Sequence, residues 1–223
     1  GSFIRKTHRA VEEGLGIPRE RVVLTCTHTH CSPWVWELQA DAFVPYGYDV
    51  FDRGWERRVI DGCLRAAREA VASSAPATLS VGSAKVVDVA SNRVQHGPRW
   101  SIVPDPEMRT KPTGDIDPEV RVLKVTGPGG SLRALAANYA CHPSGFGGGK
   151  TAFASPDFPW YAEQALQKRT QSQAPLLYWM GCSGNINAGK FVAEGSEAEV
   201  RSLGQRFAGG VLAAVEGAVE IDV

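Results

Sequence analysis

One stretch concentrates side chains that could do chemistry: Thr25-Cys26-Thr27-His28-Thr29-His30-Cys31-Ser32-Pro33. It holds two of the chain's five histidines and two of its five cysteines. The apolar run Val22-Val23-Leu24 precedes it, so a buried strand is expected over 22–26, with the polar groups emerging at its end. On extended backbone side chains repeat every second residue, and His28 and His30 then point the same way. Two imidazoles so placed can share a metal ion, or one can bind it while the other moves a proton. The alternative is a polar strand end whose histidines only hydrogen-bond within the fold.

Two further stretches end in the same way. The apolar run over 132–140 delivers Cys141-His142-Pro143-Ser144, and the run over 176–180 delivers Gly181-Cys182-Ser183-Gly184-Asn185-Ile186-Asn187. Converging strand ends build sites in many α/β folds. A thiol site is the competing chemistry, with Cys31 or Cys141 beside a histidine and Cys182 in a glycine turn. Neighbours on a strand face opposite ways, so Cys141 and His142 do not form that pair with each other. Gly147-Gly148-Gly149-Lys150 lacks the context of a phosphate-binding loop and reads as a loop only. Ser155 is the expected N-cap of the next helix with Pro156 at its first position, leaving Asp157 as a third metal ligand or, by the same position, a structural residue.

The elements that must hold these groups follow from periodicity. Helices are expected over 3–14, 54–73 and 197–215, where apolar residues recur at helical spacing, and another begins at Ser155. His8 lies on or beside the first apolar face and reads as a packing or surface residue. A strand is expected over 78–89. The runs 120–126 and 132–140, separated by Gly127-Pro128-Gly129-Gly130, predict an antiparallel hairpin, and 176–180 a further buried strand. The proline-rich segment 97–117 is expected to be irregular. Trp34, Trp36, Tyr46 and Tyr48 form an aromatic loop that either rims a substrate site or packs on the body, and contact of the protein with a membrane surface is a separate expectation. The fold class is α/β: a mixed β-sheet core flanked by helices, one domain over 1–223, with the site at strand C-terminal ends.

The chain has 223 residues, with 24 basic and 24 acidic side chains, so nothing in its charge argues for nucleic acid. It has no apolar span long enough for a bilayer and no leader-like segment, and Gly1-Ser2 reads as a tag remnant. Five cysteines, an odd number without regular spacing, argue against a disulfide framework.

Six pieces occur in a telling order: Thr27-His28-Thr29-His30 with Pro33, Asn92-Arg93, Asp115-Ile116-Asp117-Pro118-Glu119-Val120, Asn138-Tyr139-Ala140-Cys141-His142-Pro143, Ser155-Pro156-Asp157-Phe158-Pro159 and Gly181 with Gly184-Asn185-Ile186-Asn187. Together they resemble the catalytic domain of the neutral/alkaline (non-lysosomal) ceramidase family, over 21–189. The resemblance implies a zinc-dependent amidase that cleaves the amide of an N-acyl lipid such as a ceramide, by attack of metal-bound water. It implies His28 and His142 as Zn2+ ligands, His30 beside the scissile amide and Arg93 lining the site, and it implies a secreted or extracytoplasmic setting. A glutamate and a tyrosine complete the family's ligand set beyond the region matched, so the chain is expected to be a fragment. The family's serine in Gly-Asp-Val-Ser-Pro-Asn falls on Asn187, whose amide is no nucleophile but can donate a hydrogen bond to an oxyanion. Two readings compete: the Cys-His hydrolase, and a non-catalytic domain that binds a lipid or partner through the loop around Trp34 and Trp36.

Overall fold

The computed structural model describes residues 2–33, 35, 52–101, 105–147 and 153–222. Trp34, Trp36, Tyr46 and Tyr48 of the aromatic loop, and Gly148-Gly149-Lys150, lie outside the described residues. Packing divides the chain into two compact units, Gly1–Thr25 with Pro33–Ala75, and Cys26–Ser32 with Pro76–Val223.

The first unit pairs helix α1 (Ser2–Leu15) with helix α2 (Arg53–Ala72). Asp52 starts α2 by accepting from Gly54 N and Trp55 N at 2.7 and 3.0 Å, which satisfies two of the donors that a helix start leaves unpaired. Lys6 Nζ lies 2.8 Å from the buried Glu56 carboxylate and compensates the charge that the helix pair encloses.

The second unit is built on a five-stranded sheet of order β7-β6-β5-β1-β9, comprising β1 (Thr78–Lys85), β5 (Glu119–Thr126), β6 (Leu132–Tyr139), β7 (Leu176–Met180) and β9 (Val219–Glu220). The predicted hairpin is β5–β6, in register from Arg121 opposite Asn138 to Thr126 opposite Leu132. Only β6–β7 is parallel among these pairings, which makes the sheet mixed. Short strands β2 (Ser91–Asn92) and β8 (Ile186–Asn187) form a second ladder, and β3 (Gln95–His96) and β4 (Arg99–Trp100) a third.

Strand alternation explains which face is covered. Val120, Val122, Leu135, Ala137 and Tyr139 are buried, whereas Arg121 opposite Asn138 lies on the other face. Helices α3 (Phe158–Thr170) and α4 (Glu197–Glu216) supply Phe158, Leu166, Leu203, Phe207 and Val211 to the same core. Phe207 meets Tyr139 at 5.3 Å and Phe158 at 5.6 Å, close enough for the edge and tilted contacts that aromatic quadrupoles favour. A capping box of Ser196 and Glu199 starts α4.

Four expectations change. Residues 22–26 form no strand: Val23 is 83% exposed, and the run has no ladder partner among the described residues. The strand expected over 78–89 stops at Lys85, opposite Glu119, where the partner strand begins; the residue before Glu119, Pro118, has no N–H to extend the ladder, and Asp88 beyond Lys85 takes a left-handed φ of 58°. The N-cap of α3 is Asp157 rather than Ser155, its side chain accepting from Phe158 N at 2.8 Å, so Pro159 rather than Pro156 stands in the first turn. Strand β7 is an edge strand, with Leu177 46% and Trp179 38% exposed.

Candidate metal centre

Two segments far apart in sequence bring three imidazoles together. One arm is Cys26–Ser32, and the other follows β6 and carries His142. Ring centroids lie 5.1 Å apart for His28–His30, 4.7 Å for His28–His142 and 5.3 Å for His30–His142. One donor atom from each lies within 4.8 Å of the others.

The second arm is fixed by the sheet end. His142 is 6% exposed, and both its backbone N–H and its Nδ1 meet Ile186 O, at 3.1 and 3.0 Å. A carbonyl only accepts, so Nδ1 carries the proton and Nε2 keeps its lone pair. Strand β8 holds Ile186 in place through Asn187, whose C=O accepts from Ser91 Oγ at 3.2 Å and whose Oδ1 accepts from Gly189 N–H at 2.8 Å. Behind the histidine, the buried Tyr178 hydroxyl donates to Cys141 O at 2.6 Å.

The first arm is not extended, contrary to the basis on which its histidines were expected to align. His28 has φ 60°, an uncommon conformation for a residue with a Cβ. The arm is stitched across instead: His30 N–H donates to Pro143 O at 3.2 Å, Thr29 Oγ1 donates to Ser155 O at 2.6 Å, and Ser155 N–H donates to Cys31 O at 2.7 Å. His28 and His30 reach solvent on one side.

Packing lowers the pKa of all three imidazoles. For His30 desolvation leads, followed by the charges of His142, His28 and Arg93, bringing it to about 4. Desolvation also leads for His28 and His142, and Arg93 adds to both. Neutral imidazoles present lone pairs, so the cluster offers donors of the type a zinc ion takes, and two of them supply part of the three-ligand set of a catalytic zinc.

Arg93 follows β2 and bonds through its N–H to Asn185 O at 2.8 Å, which places it on the turn that holds His142. Its Nε is buried without a hydrogen-bond partner. Asn187 shares that turn, its side-chain carbonyl engaged with Gly189. Asp157 stands outside the histidine cluster among the described residues: it is fully buried, and its oxygens accept from Phe158 N and Phe146 N at 2.8 and 3.1 Å. Cys141 is fully buried, and burial pushes its thiol far above the ordinary range, away from the thiolate that a Cys-His hydrolase needs.

Several contributors escape sequence reading. Thr29, Ser155 and Tyr178 work through hydrogen bonds across the fold that no spacing encodes. Ser183 Oγ, 2% exposed and unpaired, sits in the glycine turn that the sequence singles out, but nothing there marks it apart from its neighbours.

A family model described as neutral/alkaline non-lysosomal ceramidase, N-terminal, matches residues 16–219. The fold is similar to two solved structures: one titled as a ceramidase complexed with C2, at 18% identity and TM-score 0.75, and neutral ceramidase from Pseudomonas aeruginosa, at 19% and 0.73. Each comparison covers 99% of this chain but only 35% and 36% of the respective solved chain. No curated protein sequence matches. The chain therefore spans about a third of the length of these solved ceramidases.

Proposed function

The chain belongs to the neutral/alkaline non-lysosomal ceramidase family, and from that premise we propose that it carries the zinc-binding part of a hydrolase that cleaves the amide bond of an N-acyl, ceramide-like lipid. The observation that carries this reading is the convergence of His28, His30 and His142 with their donor atoms within 4.8 Å. His28 and His142 would hold a zinc ion, which when bound supplies Lewis acidity toward the amide carbonyl and the attacking water.

The remaining chemistry falls to the chain's own groups. His142 keeps one orientation because its Nδ1–H is tied to Ile186 O, which leaves Nε2 for the ion. His30 is neutral at pH 7, so a ring nitrogen can accept the proton that the nucleophile loses. Negative charge building on the amide oxygen raises that nitrogen's proton affinity during the reaction. Arg93, with its unpaired Nε, offers positive charge to the same oxygen. Asn187 holds the turn under Ile186 and acts as a positioning residue.

Metal analysis of the purified protein tests the reading, with about one zinc per chain expected for a site of this kind. His28→Ala and His142→Ala lose zinc; His30→Ala keeps zinc and loses hydrolysis of a fluorogenic N-acyl amide. Absence of zinc sinks the proposal. Activity that survives a chelator but not thiol alkylation transfers the chemistry to a cysteine.

A further inference from the structure

Arg93 stands where a firmly held backbone passes into a hairpin. Before it, Asn92 donates its N–H to Thr113 O at 2.8 Å and its Nδ2 to Asp115 O at 3.0 Å, and its Oδ1 accepts from Asn185 Nδ2 at 3.1 Å. After it, Val94 and Ser101 close the β3–β4 hairpin: Ser101 N–H donates to Val94 O at 2.7 Å, and Val94 N–H donates to Ser101 Oγ at 3.0 Å. Further on, the 3₁₀ turn Pro106–Thr110 is anchored beside β8. Met108, 1% exposed, packs on Gly189, where a Cβ would collide with its sulfur, and Lys190 Nζ donates to the carbonyls of Arg109 and Lys111.

Among the described residues, the polar bonds that join hairpin to turn come from one side chain, His96. Its Nε2 lies 3.0 Å from Asp105 Oδ2, and its Nδ1 lies 3.3 Å from Glu107 Oε2. Asp105 is held ready by its other oxygen, which accepts from Glu107 N–H at 3.0 Å and caps the turn. A neutral imidazole has one N–H and serves one carboxylate, whereas an imidazolium serves both. The Asp105 side chain is 16% exposed and the better shielded partner, while that of Glu107, 75% exposed, is screened by solvent. On the hairpin itself, Arg99 stands opposite His96 in register.

We propose that His96 is a positioning residue for Arg93: as an imidazolium it latches the hairpin to the anchored turn and so holds the Arg93 guanidinium toward the histidine cluster. Loss of one ring proton loosens the latch. The task given to Arg93 rests on the amide-hydrolase reading above.

The test uses the zinc-loaded full chain and the fluorogenic N-acyl amide. His96→Ala keeps its zinc and lowers kcat about tenfold with KM changed less than about twofold, because a displaced Arg93 is missed in the transition state rather than in substrate binding. In an Arg93→Ala background, His96→Ala costs nothing further. Labelling of Arg93 by phenylglyoxal, read by peptide mass spectrometry against the exposed Arg57, reports the placement of the guanidinium without turnover and is faster in His96→Ala than in wild type. As pH rises, this relative labelling climbs in wild type and stays level in His96→Arg, whose charge is permanent. Labelling that responds in this way, with no amide hydrolysed, keeps the latch and removes the hydrolase reading. Equal labelling in wild type and His96→Ala, or losses of kcat that add in the double variant, overturns the latch.

Discussion

His142 stands on backbone pinned to the end of a sheet, whereas His28 and His30 stand on a segment that belongs to no strand. The first position is buried, bonded twice to Ile186 and backed by the Tyr178 hydroxyl. The second is reached by a left-handed residue and held by three bonds to loops. One arm sets the coordinate frame, and the other is positioned against it. A metal held here would take one ligand from backbone pinned by the sheet end and the rest from a segment tied by hydrogen bonds to loops.

The largest effect should come from breaking the stiff arm. His142→Ala lowers zinc affinity by more than the hundredfold or so that loss of an outer partner costs, and by more than His28→Ala does, because no other side chain can occupy that buried position. Competition with a chromophoric chelator measures both, and equal losses would abolish the distinction between the arms. Next in size is Tyr178→Phe, which leaves Cys141 O without its 2.6 Å donor and lowers stability by about 1–3 kcal/mol in urea unfolding. Thr29→Val, on the adjustable arm, costs only about 0.5–1.5 kcal/mol but lowers zinc affinity by about tenfold. If Tyr178→Phe loosens zinc as much as it destabilises the fold while Thr29→Val leaves zinc untouched, the roles of the arms are reversed.

The smallest effect is that of pH. In the unfolded chain the histidines take up protons near 6.5, while in the folded chain all three titrate lower, His30 at about 4. The unfolded state therefore binds more protons in that window, and the stability of the metal-free protein declines as pH falls from 6.5 toward 4. Zinc is retained over the upper part of the same window, because protons do not yet compete for the lone pairs. A metal-free melting temperature that stays flat between those limits would count against the packing assigned to the cluster.

The sheet was legible where local signals sufficed. The apolar runs on either side of Gly127-Pro128-Gly129-Gly130 specify the β5–β6 hairpin, since turn chemistry and alternation agree. The apolar run over 22–26 was not legible in the same way: strand formation requires a neighbour, and pattern alone does not show whether one exists. Ser155-Pro156 and Asp157-Phe158-Pro159 offer two cap signals in one short stretch, and the fold uses the second because Asp157 also receives Phe146 N. His28 and His30 are neighbours as their spacing suggests, but through a kinked backbone rather than an extended one. That His142 joins them depends on contacts across more than a hundred residues, which no local pattern carries.

The parallel pairing of β6 with β7 has a consequence for the order of events in folding. Parallel neighbours require a crossover, and the one from Tyr139 to Leu176 carries His142, Ser155 and α3. From loop-closure entropy such long closures are expected to form after the β5–β6 hairpin, which would bring the histidines together late in folding. A metal bound at these histidines would then do little to speed folding and would act chiefly on unfolding, lengthening the lifetime of the native state.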